Sequence, residues 1–328
     1  MQAEAKLSRV GILQDLVPPP RAWHGPDLSE DDFKIILPAQ CLDELEAIVA
    51  EQRKAPVPTL VLEPQHFKMD ACRALLSGAR QRLDAGVGFI IFDRLPVERW
   101  STQEIIDVYW LIASLIEVPV AQEWKGTMIY DVRWDGQGYS ADTRAALTPE
   151  GLDMHNDSSM GEAPANYVCL LCLKTARSGG MSSLASAYAA HNHFWRDYPQ
   201  LLPRLYQPFY RDKQEYQAPD ASNWYPIFAP EHGGLRIRFN ARVIRRGYQK
   251  AGLVLDRDGA AAVEIINDFL TDPAHRHDFW MEPGQIQILN NRSIVHGRTP
   301  YQDFAEPERR RHLVRLWLRA GDRRQFRG

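Results

Sequence analysis

From Met128 onward the chain reads as a succession of short strand-like runs separated by loops: Met128–Val132, Tyr167–Leu173, Leu235–Phe239, Ile286–Leu289 and His312–Leu318. Runs this short, rich in Val, Ile and Leu and bounded by Gly, Pro and polar residues, read as strands. Helical periodicity interrupts them at Ser186–Tyr198 and Ala260–Leu270. Upstream the spacing predicts a helix over Ala39–Lys54, where Leu42, Leu45, Ile48 and Val49 share a face, and another over His66–Leu83. A buried strand follows at Gly86–Phe92. Ser101 and Glu104 then form a capping box ahead of Ile105, Ile106, Val108 and Leu111. Many spaced strands with a few inserted helices predict a mainly β fold with flanking helices, a sandwich or barrel. No repeat or low-complexity break divides the chain. It is read as a single domain over 1–328, with a helical part over about 1–85 and a β core over about 86–318. The connection Arg133–Asp153 is long, Gly-rich and polar, the character of a lid.

Composition removes several function classes. A net charge of -3 over 328 residues gives no overall positive field for nucleic acid or an anionic membrane. Arginines crowd the C-terminal end from Arg309 to Arg327, which reads as a solvated tail and an edge strand. No apolar run approaches the roughly 20 residues that span a bilayer, and the first residues lack a signal-peptide core. A cytoplasmic protein is expected, with self-association left open. Cys169 and Cys172 spell C-x-x-C, but on the strand Tyr167–Leu173 residues three apart face opposite ways. They are expected as core thiols, not a redox or zinc pair.

Met154–Ser158 contains His155-x-Asp157. On extended backbone these two side chains project to one face and can reach one ion. A divalent iron site of the two-histidine, one-carboxylate kind needs a second histidine and leaves open positions for co-substrate and O2. His296 closes the strand-like stretch Ile286–Val295 and is followed by Gly297, a suitable place for that ligand. Taken singly, His155-x-Asp157 also suits an ordinary surface pair, and His296 a structural histidine. Arg315 stands in the apolar run His312–Leu318 and shares a face with Leu313 and Trp317. A guanidinium pointed into such an interior needs an anion, either a structural carboxylate or a bound one. Arg311 lies on the same face at the polar start of the run and ranks second.

Four blocks together resemble the taurine dioxygenase-like branch of the Fe(II)/2-oxoglutarate-dependent oxygenases. They are His155-x-Asp157; Gly179–Ser182; Asn290-Asn291 followed by His296-Gly297-Arg298-Thr299; and Arg309–Trp317, over roughly Gly86 to Leu318. The resemblance implies a double-stranded β-helix, or jelly roll, of the clavaminate synthase-like kind. It implies iron on His155, Asp157 and His296, and 2-oxoglutarate gripped at its distal carboxylate by Arg315 with a hydroxyl from Ser182. Arg311 stays open as the anchor, because the His296–Arg315 link spans 19 positions. It further implies that 2-oxoglutarate and O2 are consumed, succinate and CO2 are released, and an aliphatic C–H of a small molecule is hydroxylated. Related halogenases lack the carboxylate that Asp157 supplies, which argues against halogenation.

For the substrate, Tyr130 lies ahead of the lid-like connection, and Arg238 and Asn240 lie on the Leu235–Phe239 run; each is a candidate contact. Arg238 or Lys125 would suit an anionic or amino-acid-like molecule. Two other readings stand beside hydroxylation. One is the same chemistry ending in desaturation, cyclisation or fragment cleavage. The other is a noncatalytic metal-binding jelly roll.

Overall fold

A computed structural model describes residues 11–13, 15–134, 136, 147–212, 223–231, 234–321 and 324–327. Its framework is two facing sheets. The larger one has seven strands. Six run in the order Lys34–Ile36 (β1), Phe89–Asp93 (β2), Ile286–Asn290 (β9), Tyr167–Lys174 (β6), His312–Arg319 (β11) and Val118–Val120 (β3), and Tyr130–Val132 (β4) also pairs with β11. The smaller sheet has four, in the order Arg276–Phe279 (β8), Ser182–Ser186 (β7), Ile294–Arg298 (β10) and Leu152–His155 (β5). All these pairings are antiparallel except β1 on β2. This is the jelly roll expected from the sequence.

The large sheet is covered on both faces, so its strands are apolar almost throughout. Alternation divides the side chains. Val314 and Leu316 of β11, Cys169 and Leu171 of β6, and Ile90 and Phe92 of β2 pack outward. There they meet helices α1 (Ala39–Lys54), α2 (Asp70–Asp84) and α3 (Thr102–Ile116) through Leu45, Leu76 and the fully buried Trp110. Phe89, Ile91, Val168, Leu289 and Trp317 point inward, between the sheets, and meet Leu184 and Ile294 of the small sheet. Cys169 belongs to the outer cluster and Cys172 to an inner one with Leu313, and all four cysteines are buried free thiols. The C-x-x-C is therefore a feature of packing. Behind the small sheet lie α4 (Ala187–Asp197), α5 (Ala241–Ala251) and α6 (Arg257–Thr271).

The expected helix Ala39–Lys54 forms with those bounds, and the capping box of α3 is made: Glu104 N–H donates to Ser101 Oγ at 3.3 Å and Ser101 N–H to Glu104 Oε2 at 2.7 Å. Three features differ from the expectation. The helix expected over His66–Leu83 begins only at Asp70, and helix α5 stands where the sequence predicts none. Also, Ile286–Val295 is not one strand closed by His296. The chain turns at Asn290–Ser293, where Asn290 Oδ1 accepts from Arg292 N–H at 3.1 Å, and it re-enters as β10 in the other sheet. An asparagine that bonds the backbone two residues on is a turn former. The turn moves His296 from the end of a strand to its middle. Most of the lid-like connection Arg133–Asp153 lies outside the described residues.

Candidate metal centre and its cavity

His155 is the last residue of β5, and His296 sits opposite it on β10 in direct register. Their ring centroids are 4.4 Å apart. Asp157 follows on a segment whose backbone is fixed from both sides. Asp157 N–H donates to Asn291 Oδ1 at 2.9 Å, and Asn291 Nδ2 returns a bond to Asp157 O at 3.0 Å. Asn156 reaches across to the carbonyls of Asn291 and Ile294. Ser158 next takes a φ of 53°, a left-handed conformation that is uncommon outside glycine and turns the chain away. The strand-leaving geometry thus aims one carboxylate back between two imidazoles.

Asp157 Oδ1 lies 3.3 Å from His155 Nε2 and 3.6 Å from His296 Nε2. One ligand atom from each of the three lies within 4.8 Å of the others. His155 Nδ1 is 2.7 Å from the carbonyl of Asp153. That contact places the proton on Nδ1 and leaves the Nε2 lone pair facing Asp157, the tautomer a metal ligand needs. Burial, with His155 nearby and Asp157 opposing, pushes His296 down to about 3, so the ring is neutral at ordinary pH. Burial would raise the Asp157 carboxyl. The charge of Arg315 beside it outweighs burial and holds the group well below the usual carboxylate range. A desolvated, ionised carboxylate between two imidazoles is the donor set of a facial iron site, so the residues fit iron.

These three line a cavity of about 540 Å³ that also takes in Ser182, Arg298, Arg311 and Arg315. The two candidate anchor arginines have different surroundings. Arg315 Nη1 lies 3.0 Å from Asp157 Oδ2, and its Nε donates to Gln122 Oε1 at 2.7 Å. Arg311 is 5% exposed, and its Nη1 has no hydrogen-bond partner. Among the described residues no carboxylate ion-pairs with it. Arg298, two residues beyond His296, is buried beside it. It donates through Nη2 to the Thr148 and Glu150 carbonyls, while Nε and Nη1 stay unpartnered. Both guanidiniums flank the Tyr301 ring, at 4.7 Å for Arg298 and 5.2 Å for Arg311. Burial lowers both, with their mutual repulsion adding at Arg298, which falls to about 10. Each remains a cation at neutral pH, so this end of the cavity is built for an anion.

Of the substrate candidates, Tyr130 and Asn240 line the cavity, as does Lys125. Tyr130 lies under the Arg315 guanidinium, 4.9 Å from its centre. Asn240 bridges to His155 through the backbone and caps α5 by accepting from Val243 N–H at 3.0 Å. Arg238 is not brought to this wall. Its guanidinium is spent on the carbonyls of Gly161 and Glu162, over the Tyr225 ring. Three residues have places in the site that the sequence reading does not assign. Arg298 shares the parity of His296, a signal in the sequence for its position. Trp317 donates its indole N–H to Asp157 Oδ2 at 2.7 Å. Gln122 carries no sequence signal at all.

Residues 54–317 match the family described as "Taurine catabolism dioxygenase TauD, TfdA family". FR-33289 synthase of Streptomyces rubellomurinus (strain ATCC 31215) is 26% identical over 272 residues, 81% of this chain and 78% of that protein. An asparagine oxygenase solved with Fe(II), 2S,3S-3-hydroxyasparagine and succinate superposes with a TM-score of 0.65 at 16% identity, covering 89% of this chain and 94% of the other. The non-heme iron oxygenase OrfP, solved with Fe and alpha-ketoglutaric acid, gives 0.62 at 13% identity, covering 88% and 94%. The chain belongs to the TauD, TfdA family and is a dioxygenase.

Proposed function

We propose that this enzyme hydroxylates an aliphatic C–H of a small anionic or amino-acid-like molecule, with release of succinate and CO2. His155, Asp157 and His296 hold the iron. Arg311, with the Ser182 hydroxyl, grips the distal carboxylate of 2-oxoglutarate, and Arg298 stands beside it as a second cation. The observation that carries the reading is the convergence, in one cavity, of a two-histidine, one-carboxylate set with two buried guanidiniums that ion-pair with no carboxylate among the described residues. Arg311 is preferred to Arg315 as the anchor because Arg315 already has a carboxylate and an amide.

Bound iron supplies the oxidising chemistry with 2-oxoglutarate and O2. The chain's own residues orient the reactants. Arg298 is held by strand register and by the Thr148 and Glu150 carbonyls, and the Arg311 backbone by its N–H bond to Asp303 Oδ1, so the guanidiniums place the co-substrate with little reorganisation. Leu170, Leu184 and Leu313 line the same cavity and keep its wall apolar near the metal. Substrate enters past the exposed Trp124 and the Lys125 ammonium. An amino-acid-like substrate is supported by the two structural neighbours, whose ligands are hydroxyasparagine and, in another OrfP complex, (3S)-hydroxy-L-Arg.

A succinate-release screen against amino acids, sulfonates and aryloxy acids tests the proposal. Stimulation of release by one class above the substrate-free background, with a product heavier by one oxygen, is expected. A product two hydrogens lighter would replace hydroxylation by desaturation.

A further inference from the structure

The two oxygens of Asp157 have different surroundings. Oδ1 faces His155 and His296. Oδ2 takes the Trp317 indole N–H at 2.7 Å and the Arg315 guanidinium at 3.0 Å. Asp157 is 4% exposed and Trp317 is 6% exposed, so water does not compete for these bonds. The backbone on either side is fixed by Asn156 and Asn291. With the main chain held, the freedoms left to the ligand are rotation about Cα–Cβ and rotation of the carboxyl group about Cβ–Cγ. The two donors on Oδ2 restrict both.

Resting on the reading of His155, Asp157 and His296 as the iron ligands, we propose that Trp317 is a positioning residue of the metal centre, holding Oδ2 away so that Asp157 binds iron through Oδ1 alone. A carboxylate free to turn can chelate through both oxygens and take up a further coordination position. One-oxygen binding keeps open the positions that a bidentate 2-oxo acid and O2 require. Arg315 assists as the charged donor to the same oxygen. Trp317 is placed for this by alternation: it points inward from β11 and lies two residues beyond Arg315, whose guanidinium is 5.1 Å from its ring. Phenylalanine would keep the apolar wall and lose only the N–H.

The test uses the metal-free full chain, titrated anaerobically with Fe(II) and separately with Co(II), whose visible absorption reports coordination number. Trp317→Phe is expected to weaken metal binding about 10- to 100-fold, the usual effect of removing a group that orients a ligand. The Co(II) bands should change in intensity as the second oxygen joins. Arg315→Gln should shift the bands in the same direction. A purely structural tryptophan would lower the melting temperature and leave the Co(II) spectrum as in the wild type; that spectrum, with wild-type affinity, overturns the proposal. If Trp317→Phe fails to fold, an Arg315→Gln spectrum identical to the wild type overturns it instead. His155→Ala separates the two levels. Should it still bind Co(II) as the wild type does, the metal site itself has been misread; if binding is lost there but unchanged in Trp317→Phe, only the positioning role falls.

Discussion

Arg315 Nη1 stands 3.0 Å from Asp157 Oδ2, so this guanidinium is already matched by a carboxylate. Arg311, the residue just before β11 and a lining residue of the same cavity, has no such match among the described residues. The two arginines should therefore separate by assay. Arg311→Ala is expected to raise the dissociation constant of 2-oxoglutarate at least roughly 30-fold, about 2 kcal/mol or more for a truncated buried ion pair, and to leave iron affinity near the wild-type value. Arg315→Ala should weaken iron more than 2-oxoglutarate. Titration by calorimetry checks both, and the reverse pattern would return the anchor role to Arg315.

Arg298 offers a sharper comparison. It lines the same cavity as Arg311, and its Nε and Nη1 are buried without a hydrogen-bond partner. Arg298→Gln should weaken 2-oxoglutarate several-fold while leaving 2-oxopentanoate, which lacks the distal carboxylate, bound as before. Equal loss for both acids would mean that Arg298 serves the fold through Thr148 and Glu150.

Metal binding to the folded chain alone must stabilise it. At a free Fe(II) concentration about 100 times the dissociation constant, the linkage is worth about 2.7 kcal/mol. Anaerobic thermal melts should show an upward shift of the midpoint on adding Fe(II) and its reversal by a chelator. His155→Ala should show neither.

Away from the cavity, the capping box of α3 gives a pH prediction. Arg53 donates to Glu104 Oε1 at 2.7 Å and Ser101 N–H to Oε2 at 2.7 Å, which together hold Glu104 down to about 2. A depressed carboxyl stabilises the fold above the ordinary glutamate range near about 4.3, and the contribution is lost as pH falls toward about 2. Glu104→Ala should be less stable than the wild type by about 1 kcal/mol near pH 7. Denaturant melts should find that gap closing on acidification, not widening.

How far the sequence discloses this site follows from distance along the chain. His155-x-Asp157 is legible because positions i and i+2 share a face on extended backbone. Arg311 and Arg315 are legible because a cation in an apolar strand demands an anion. Which anion each has is not. Asp157 reaches Trp317 across 160 residues and Gln122 reaches Arg315 across 193, contacts that only strand register creates. The break at Asn290–Ser293 does carry a signal: four successive polar residues, Asn-Asn-Arg-Ser, between two apolar runs have the composition of a turn rather than of one strand. Helix α5 was missed because five of its eleven residues are Arg, Lys or Gln, and the apolar stripe of Val243, Ile244 and Tyr248 is thin.

The central claim is that His155, Asp157 and His296 hold iron with 2-oxoglutarate alongside. Anaerobic addition of Fe(II) and 2-oxoglutarate to the metal-free enzyme tests it most directly. A weak visible charge-transfer band is predicted for the wild type, absent in His155→Ala and requiring a higher 2-oxoglutarate concentration in Arg311→Ala. A folded, iron-loaded wild-type protein that gives no band, or a His155→Ala variant that keeps it, would contradict the account.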